Sequence, residues 1–317
     1  MNFGYQTIVS RPKIFHRLTG LTTEEFDLLL DKFASRYDIA IVHPRLKLAT
    51  RKRAVGGGRK GSISTPADKL FFILVYARVY PLLIFQGLFF SMNESAACDW
   101  TGKLLPILDE ALGSAHVRPK RGKGRSLEEI IEDFPELVEL GVITDGVERP
   151  VRRPKDQTKQ KDRYSGKKKR HTTKVVTIVH PINQFILCVS DEYDGTCHDK
   201  KIADEMEVRC RSPIPIGVDS GFEGWMPGAA KLILPIKRKR KPKGEPKDVL
   251  TDEQKAYNKA LASPRVAVEH SNAGFKRNRS AADILRNTRE GMGDQLTIVA
   301  IGLHNLRVTM RPSYQKA

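Results

Sequence analysis

The spacing of apolar positions changes twice along the chain. Up to about residue 112 they recur every three or four residues, the period of an amphipathic helix. In LTGLTTEEFDLLLDKFASRY, Phe26, Leu29, Leu30 and Phe33 form one stripe, with Thr22 or Thr23 as the cap and Glu24 and Glu25 in the first turn. STPADKLFFILVYARVY predicts a second helix: Thr65 is its N-cap, Pro66 its first residue, Asp68 lies in the first turn and Pro81 ends or interrupts it. LLIFQGLFF and NESAACDWTGKLLPILDEAL add two more helices around a short Ser91-Met92-Asn93 turn. Three helices with a tight turn before the last fit a helix-turn-helix, and equally a plain bundle whose faces all pack; the last helix is not strongly basic.

From Leu140 the spacing shortens to that of strands. LGVITDG reads as a strand ending in Asp145, followed by the basic excursion ERPVRRPKDQTKQKDRYSGKKKRH. TTKVVTIVHPINQFILCVSDEYDG reads as a hairpin turning at Pro181 and Asn183, HDKKIADEMEVRC as a crossover helix, PIGVDSGFEG as a second strand ending in a carboxylate, and KLILPIKRK as a further strand. The helical period then returns. TDEQKAYNKALA and SPRVAVEHSNAGFKRNRS each carry a start signal, Thr251 ahead of Gln254 and Ser263 ahead of Pro264, and DQLTIVAIGLHNLRV predicts a final apolar helix. No internal repeat is present.

The fold class expected is α/β, a mixed sheet flanked by helices and preceded by an all-α domain. The expected organisation is a helical segment and basic linker over 1–62, a helix-turn-helix domain over 63–118, a linker with a short helix over 119–135, a mixed α/β domain over 136–310 and a tail over 311–317. The linker reading rests on RKRAVGGGRKGS, Arg51 to Ser62, which has no periodicity and few apolar residues.

Charge narrows the partners. The 317 residues include 55 Lys and Arg against 37 Asp and Glu, a net charge of +18. That surplus suits nucleic acid, an anionic membrane or an acidic protein. No apolar run approaches the roughly 18 residues of a membrane span, and MNFGYQTIVSRPKIF lacks the pattern of a signal peptide. The expectation is a soluble, cytoplasmic protein. Cys98, Cys188, Cys197 and Cys210 form no CxxC pair and no zinc spacing, so they read as thiols in a reducing compartment.

The candidate chemistry lies in three acidic residues. Asp145 follows Val142-Ile143-Thr144 and precedes Gly146, which allows a sharp turn. Asp219 in Gly217-Val218-Asp219-Ser220-Gly221 repeats the arrangement. Each alone fits an ordinary turn aspartate; together they suit carboxylates meeting at one sheet edge, where open α/β folds place ligands. Glu269 falls on one helical face with Arg265, Asn272 and Lys276, the pattern of a solvated Arg–Glu pair or of a carboxylate held beside phosphate-gripping cations. His198-Asp199 and His270 are secondary candidates. The runs Lys167-Lys168-Lys169-Arg170 and Lys237-Arg238-Lys239-Arg240-Lys241 could position a duplex without reading its sequence.

Taken in order, DGVERPVRRPKDQTKQKDRYSGKKKRHTTK, GTCHDKKI, DSGFEG and LTDEQKAYNKALASPRVAVEHSNAGFKR resemble the DDE transposases of bacterial insertion sequences, in the insertion-sequence-five group. The resemblance covers most of 140–290, and residues 66–112 look like the helix-turn-helix module that precedes the catalytic domain in that group. It implies a ribonuclease-H-like catalytic domain, the triad Asp145, Asp219 and Glu269, and two Mg²⁺ ions (or Mn²⁺) roughly 3.5–4 Å apart that activate water and stabilise the leaving 3′ oxygen. The freed 3′-OH would then attack target DNA. Arg265, Glu269 and Lys276 match an Arg-x3-Glu-x6-Lys signature, while the Tyr that opens it in relatives is Ala262 here. The resemblance further implies DNA as partner, both element ends and target, contacted by Arg265, Lys276, the Lys167–Arg170 run, and Asn93 and Ser95 at the start of the recognition helix. A homodimer in the DNA complex and a place in the bacterial nucleoid are expected. Two other readings are a domesticated DNA-binding protein that does not cut, and a different nuclease on the same fold.

Overall fold

The computed structural model describes residues 3–46, 61–238, 249–287 and 289–311, and no side chain of Ala262, Ser263 or Pro264. Most of the expected Arg51–Ser62 linker, Lys239, Arg240 and Lys241 of the second basic run, and nearly all of the tail lie outside the described residues. The chain divides into two compact units, Met1–Arg118 with the stretch from Phe275 onward, and Pro119–Gly274.

Local capping sets the helices of the first unit. Thr22 accepts from the Glu25 amide while Glu25 accepts from the Thr22 amide, opening the helix Thr23–Tyr37. Thr65 and Asp68 do the same for Pro66–Val79. That helix is buried from Lys69 to Ala77 and forms the centre of the unit, with Phe71 stacked on Phe15 at 6.0 Å and Phe15 edge-on to Phe26 at 5.2 Å. Leu83–Phe89 and Glu94–Ser114 follow. The turn between them folds back closely: the Met92 amide donates to Gly87 O at 2.9 Å, and a Cβ at Gly87 would stand 2.6 Å from Met92 O. The last helix, Met292–Thr309, packs here too. Gly302 lies against Leu112, and the Asn305 side chain donates to Val117 O at 2.9 Å. The sequence suggests this helix for the 136–310 domain, but its Leu296, Val299, Leu303 and Leu306 complete the core of the helical unit.

The second unit is mixed α/β. Its strands are β1 (Lys120–Arg121), β2 (Val142–Pro150), β3 (Tyr164–Ser165), β4 (Arg170–Val179), β5 (Ile186–Val189), β6 (Tyr193–Asp194), β7 (Pro215–Gly217) and β8 (Lys231–Ile233). They form one sheet in the order β1-β5-β4-β2-β7-β8, with β3 and β6 pairing β4. β4 runs antiparallel to both of its neighbours, β2 and β5; β7 runs parallel to β2 and β8 parallel to β7. Val175 to Val179 are all buried, the mark of a strand covered on both faces.

Two elements differ from the sequence reading. β2 does not end at Asp145; it pairs with β4 from Ile143↔Val179 to Pro150↔Thr172, so the first part of the basic excursion is strand. The second difference is the helix start expected at Ser263. One helix runs from Asp252 to Lys276, through Pro264. An interior proline costs about 3 kcal/mol, but the surrounding turns hold: Thr251 and Gln254 cap the start, and Ser271 Oγ donates to Gln184 O at 3.0 Å, fastening the helix to the β4–β5 turn. Among the described residues, no helix is long and apolar enough to cross a membrane.

Candidate active site

Parallel register brings two of the three carboxylates together. Ile143 of β2 pairs with Gly217 of β7, and both strands run the same way. Asp145 and Asp219 each lie two residues further on, so they reach the same level with the same side-chain sense. Asp145 sits within β2 opposite Thr177, and its Oδ1 accepts from the Gly146 amide at 2.9 Å. Asp219 follows β7 and caps the short 3-10 helix Ser220–Phe222, its Oδ1 accepting from the Gly221 amide at 2.7 Å.

Glu269, the expected third carboxylate, lies on the helix Asp252–Lys276. Asn272 Nδ2 donates to Asp145 Oδ2 at 3.0 Å, so the helix meets β2 at Asn272, and the Arg265 guanidinium on the same helical face acts on the same carboxylate. Glu269 itself is exposed. Lys276 is the last residue of the helix, beyond the unit boundary at Gly274. Beside the site, Ile143, Gly217, Val218, Leu261 and Arg265 help to line a mainly apolar cavity of about 340 Å³.

The electrostatics follow from this crowding. Burial pushes the Asp145 carboxyl up to about 6, and the negative charges of Asp219 and Asp199 push the same way. The Gly146 amide and the Arg265 guanidinium oppose them without prevailing. A half-buried carboxylate facing like charge holds its proton more tightly than a free one, and it is a good donor to a hard cation, whose charge would relieve the repulsion. The donor set therefore fits a divalent metal ion in kind. Glu269 does not join the pair, however: among the described residues no group of three or more His, Cys, Asp or Glu is placed to hold a metal ion.

The remaining expected residues are spread out. Lys167, Lys168, Lys169 and Arg170 are all exposed in the turn joining β3 to β4. Arg170 is separated from Thr177, the partner of Asp145, by roughly 23 Å of strand, so this run does not flank the carboxylates. Lys237 is nearer to Asp219 in its contacts, donating to Ser220 O at 3.1 Å and to Glu223 at 2.7 Å. Asn93 and Ser95 are exposed at the start of the Glu94–Ser114 helix, where Asn93 Oδ1 accepts from the Ala96 amide at 2.8 Å. His198 and His270 are exposed.

Two contributors were not legible as such. Asn272 is visible in sequence only as a neighbour on the Glu269 face. Lys174, which pairs with Asp199 at 3.1 Å, is signalled by a lone charge in the apolar run of β4.

Residues 144–305 match the family described as DDE superfamily endonuclease. The chain is also 26% identical over 297 residues, 94% of its own length and 95% of the relative's, to a protein of Microchaete diplosiphon named as a probable transposase for insertion sequence element IS702. No solved structure matches.

Proposed function

The chain belongs to the DDE superfamily endonucleases, and on that footing we propose that it is the transposase of an insertion sequence. It binds the terminal inverted repeats of its element, hydrolyses a phosphodiester at their boundary and joins the 3′-OH ends to target DNA. The observation that carries this reading is the pair Asp145 and Asp219 at one level on parallel strands, with Asn272 tying the Glu269 helix to Asp145. The sheet order supports a ribonuclease-H-like domain: three antiparallel strands, β5, β4 and β2, continue into two parallel ones, β7 and β8.

Asp145, Asp219 and Glu269 would hold Mg²⁺, with Mn²⁺ as a substitute. When bound, the metal supplies a Lewis acid and makes water a nucleophile near neutral pH. Asn272 fixes the rotation of the Asp145 carboxylate through Oδ2, and the Gly146 amide fixes it through Oδ1. Arg265 brings positive charge to the same side and would grip the phosphate beside the cut; Lys276 is assigned a second phosphate contact. The exposed Lys167–Arg170 turn would follow the duplex backbone. Leu83–Phe89 and Glu94–Ser114 would read the terminal repeat as a helix-turn-helix, with Asn93 and Ser95 at the groove. Two ends to join favour a homodimer on DNA.

The test is incubation of the protein with a duplex carrying its own element end and Mg²⁺, beside an Asp145→Ala control. Nicking at the element boundary that requires Mg²⁺ and vanishes in the control is expected. Binding without cleavage by the unaltered protein sinks the proposal.

A further inference from the structure

Asp199 opens the helix Asp199–Glu205, and its carboxylate lies between the two glycines that follow the site aspartates. A Cβ at Gly146 would stand 2.5 Å from Asp199 Oδ1, and one at Gly221 would stand 2.9 Å from Asp199 Oδ2. Neither glycine has a positive φ, so space and not backbone conformation excludes a side chain there. This replaces the sharp turn that the sequence suggests at Gly146: the strand runs straight through, and the missing side chain makes room for a carboxylate.

The carboxylate is itself held. Lys174 Nζ lies 3.1 Å from Asp199 Oδ1, with side-chain exposures of 12% and 22%, and it also donates to Cys197 O at 2.9 Å. Lys174 stands on β4, three residues before Thr177, the partner of Asp145. A bridge therefore runs from β4 through Lys174 and Asp199 to the backbone beside both site carboxylates. Ion pairs so far withdrawn from water add little stability over an apolar pair of the same shape, which leaves geometry as what this one supplies.

We propose that the Lys174–Asp199 pair is a positioning element of the site: its carboxylate, wedged against Gly146 and Gly221, sets the separation of Asp145 and Asp219. The inference rests on the proposed function, because it concerns how those two aspartates are held for their metal. Lys174 offsets part of the charge of the wedge, so that less of it bears on Asp145.

The test uses the full chain and Mg²⁺ alone, following thermal stabilisation as a function of Mg²⁺ concentration, with DNA nicking as a second readout. Asp199→Ala is expected to raise the half-saturating Mg²⁺ concentration about 10–100-fold, and Asp199→Asn, nearly the same shape, to restore most of that loss. Gly146→Ala pushes on the same carboxylate from the other side and should give the same loss. Gly146→Ala combined with Asp199→Ala should be no worse than either alone, since the added methyl occupies vacated space. Gly146→Ala also carries the test if Asp199→Ala does not fold. A half-saturating concentration unchanged in Asp199→Ala, or in Gly146→Ala, overturns the proposal. So do losses that multiply in the double variant. A different failure marks the reading beneath it: if the unaltered protein shows no Mg²⁺-dependent stabilisation that Asp145→Ala abolishes, the site is misread and the proposal goes with it.

Discussion

The strand carboxylates and the helix carboxylate are held in opposite ways. Asp145 and Asp219 are half-buried, each pinned by the amide of a following glycine, and their level is fixed by the register of β2 against β7. Glu269 is exposed on a helix joined to Asp145 through Asn272. The sheet thus presets two charges against each other and bears the repulsion, while Glu269 stays in contact with solvent. The difference teaches where the site is rigid and where it is adjustable. Changing the strand pair alters the charge balance of the fold itself; changing the exposed Glu269 should leave that balance untouched.

The largest expected effect breaks the rigid half. Asp219→Ala should lower Mg²⁺-dependent nicking by about 10³-fold, several kcal/mol of transition-state stabilisation, while binding of the element end in a gel-shift measurement is unchanged. Next comes the link between the halves. Asn272→Ala frees the Asp145 carboxylate to rotate and loosens the helix, and should cost about 10–100-fold in nicking rate, with partial recovery at high Mg²⁺.

The smallest effect concerns stability and separates the two regions by its size and its dependence on pH. The Asp145 carboxyl is raised to about 6 in the fold, above its ordinary value, so folding favours its protonated form. That contribution is fully present below the unfolded pKa near 4 and is lost as pH rises through about 6. Without metal, Asp145→Asn should therefore stabilise the protein at pH 8, by roughly 2 kcal/mol at most given its partial exposure, and do nothing at pH 4. Glu269→Gln should change metal-free stability by less than about 0.5 kcal/mol at either pH. Chemical denaturation at the two pH values reads both.

What was legible in the sequence was what short-range chemistry decides. Thr22 with Glu25 and Thr65 with Asp68 announce helix starts because a cap and its partner lie within one turn. The three acidic residues were likewise visible, two by apolar runs ending in Asp before glycine and one by its helical neighbours, and the family resemblance gave them an order. What was not legible depends on residues far apart in the chain. Gly146 reads as a turn until Asp199, more than fifty residues later, occupies the space beside it. Ser263-Pro264 reads as a helix start until the turns on either side, fastened through Ser271 to Gln184, carry the helix through. The final apolar helix is evident from its composition, but nothing local says that Leu112 and Val117 are its partners.

Whether Asp145 on the sheet and Glu269 on the helix work as one site is decided by a double-mutant cycle. Single-turnover nicking of an element-end duplex would be measured for Asp145→Ala, Glu269→Ala and the double variant at saturating protein and Mg²⁺. Residues that act as a unit give equal losses, so all three variants should fall to the same residual rate. A Glu269→Ala protein that cuts at the unaltered rate, or a double variant whose loss is the product of the two single losses, would contradict the account.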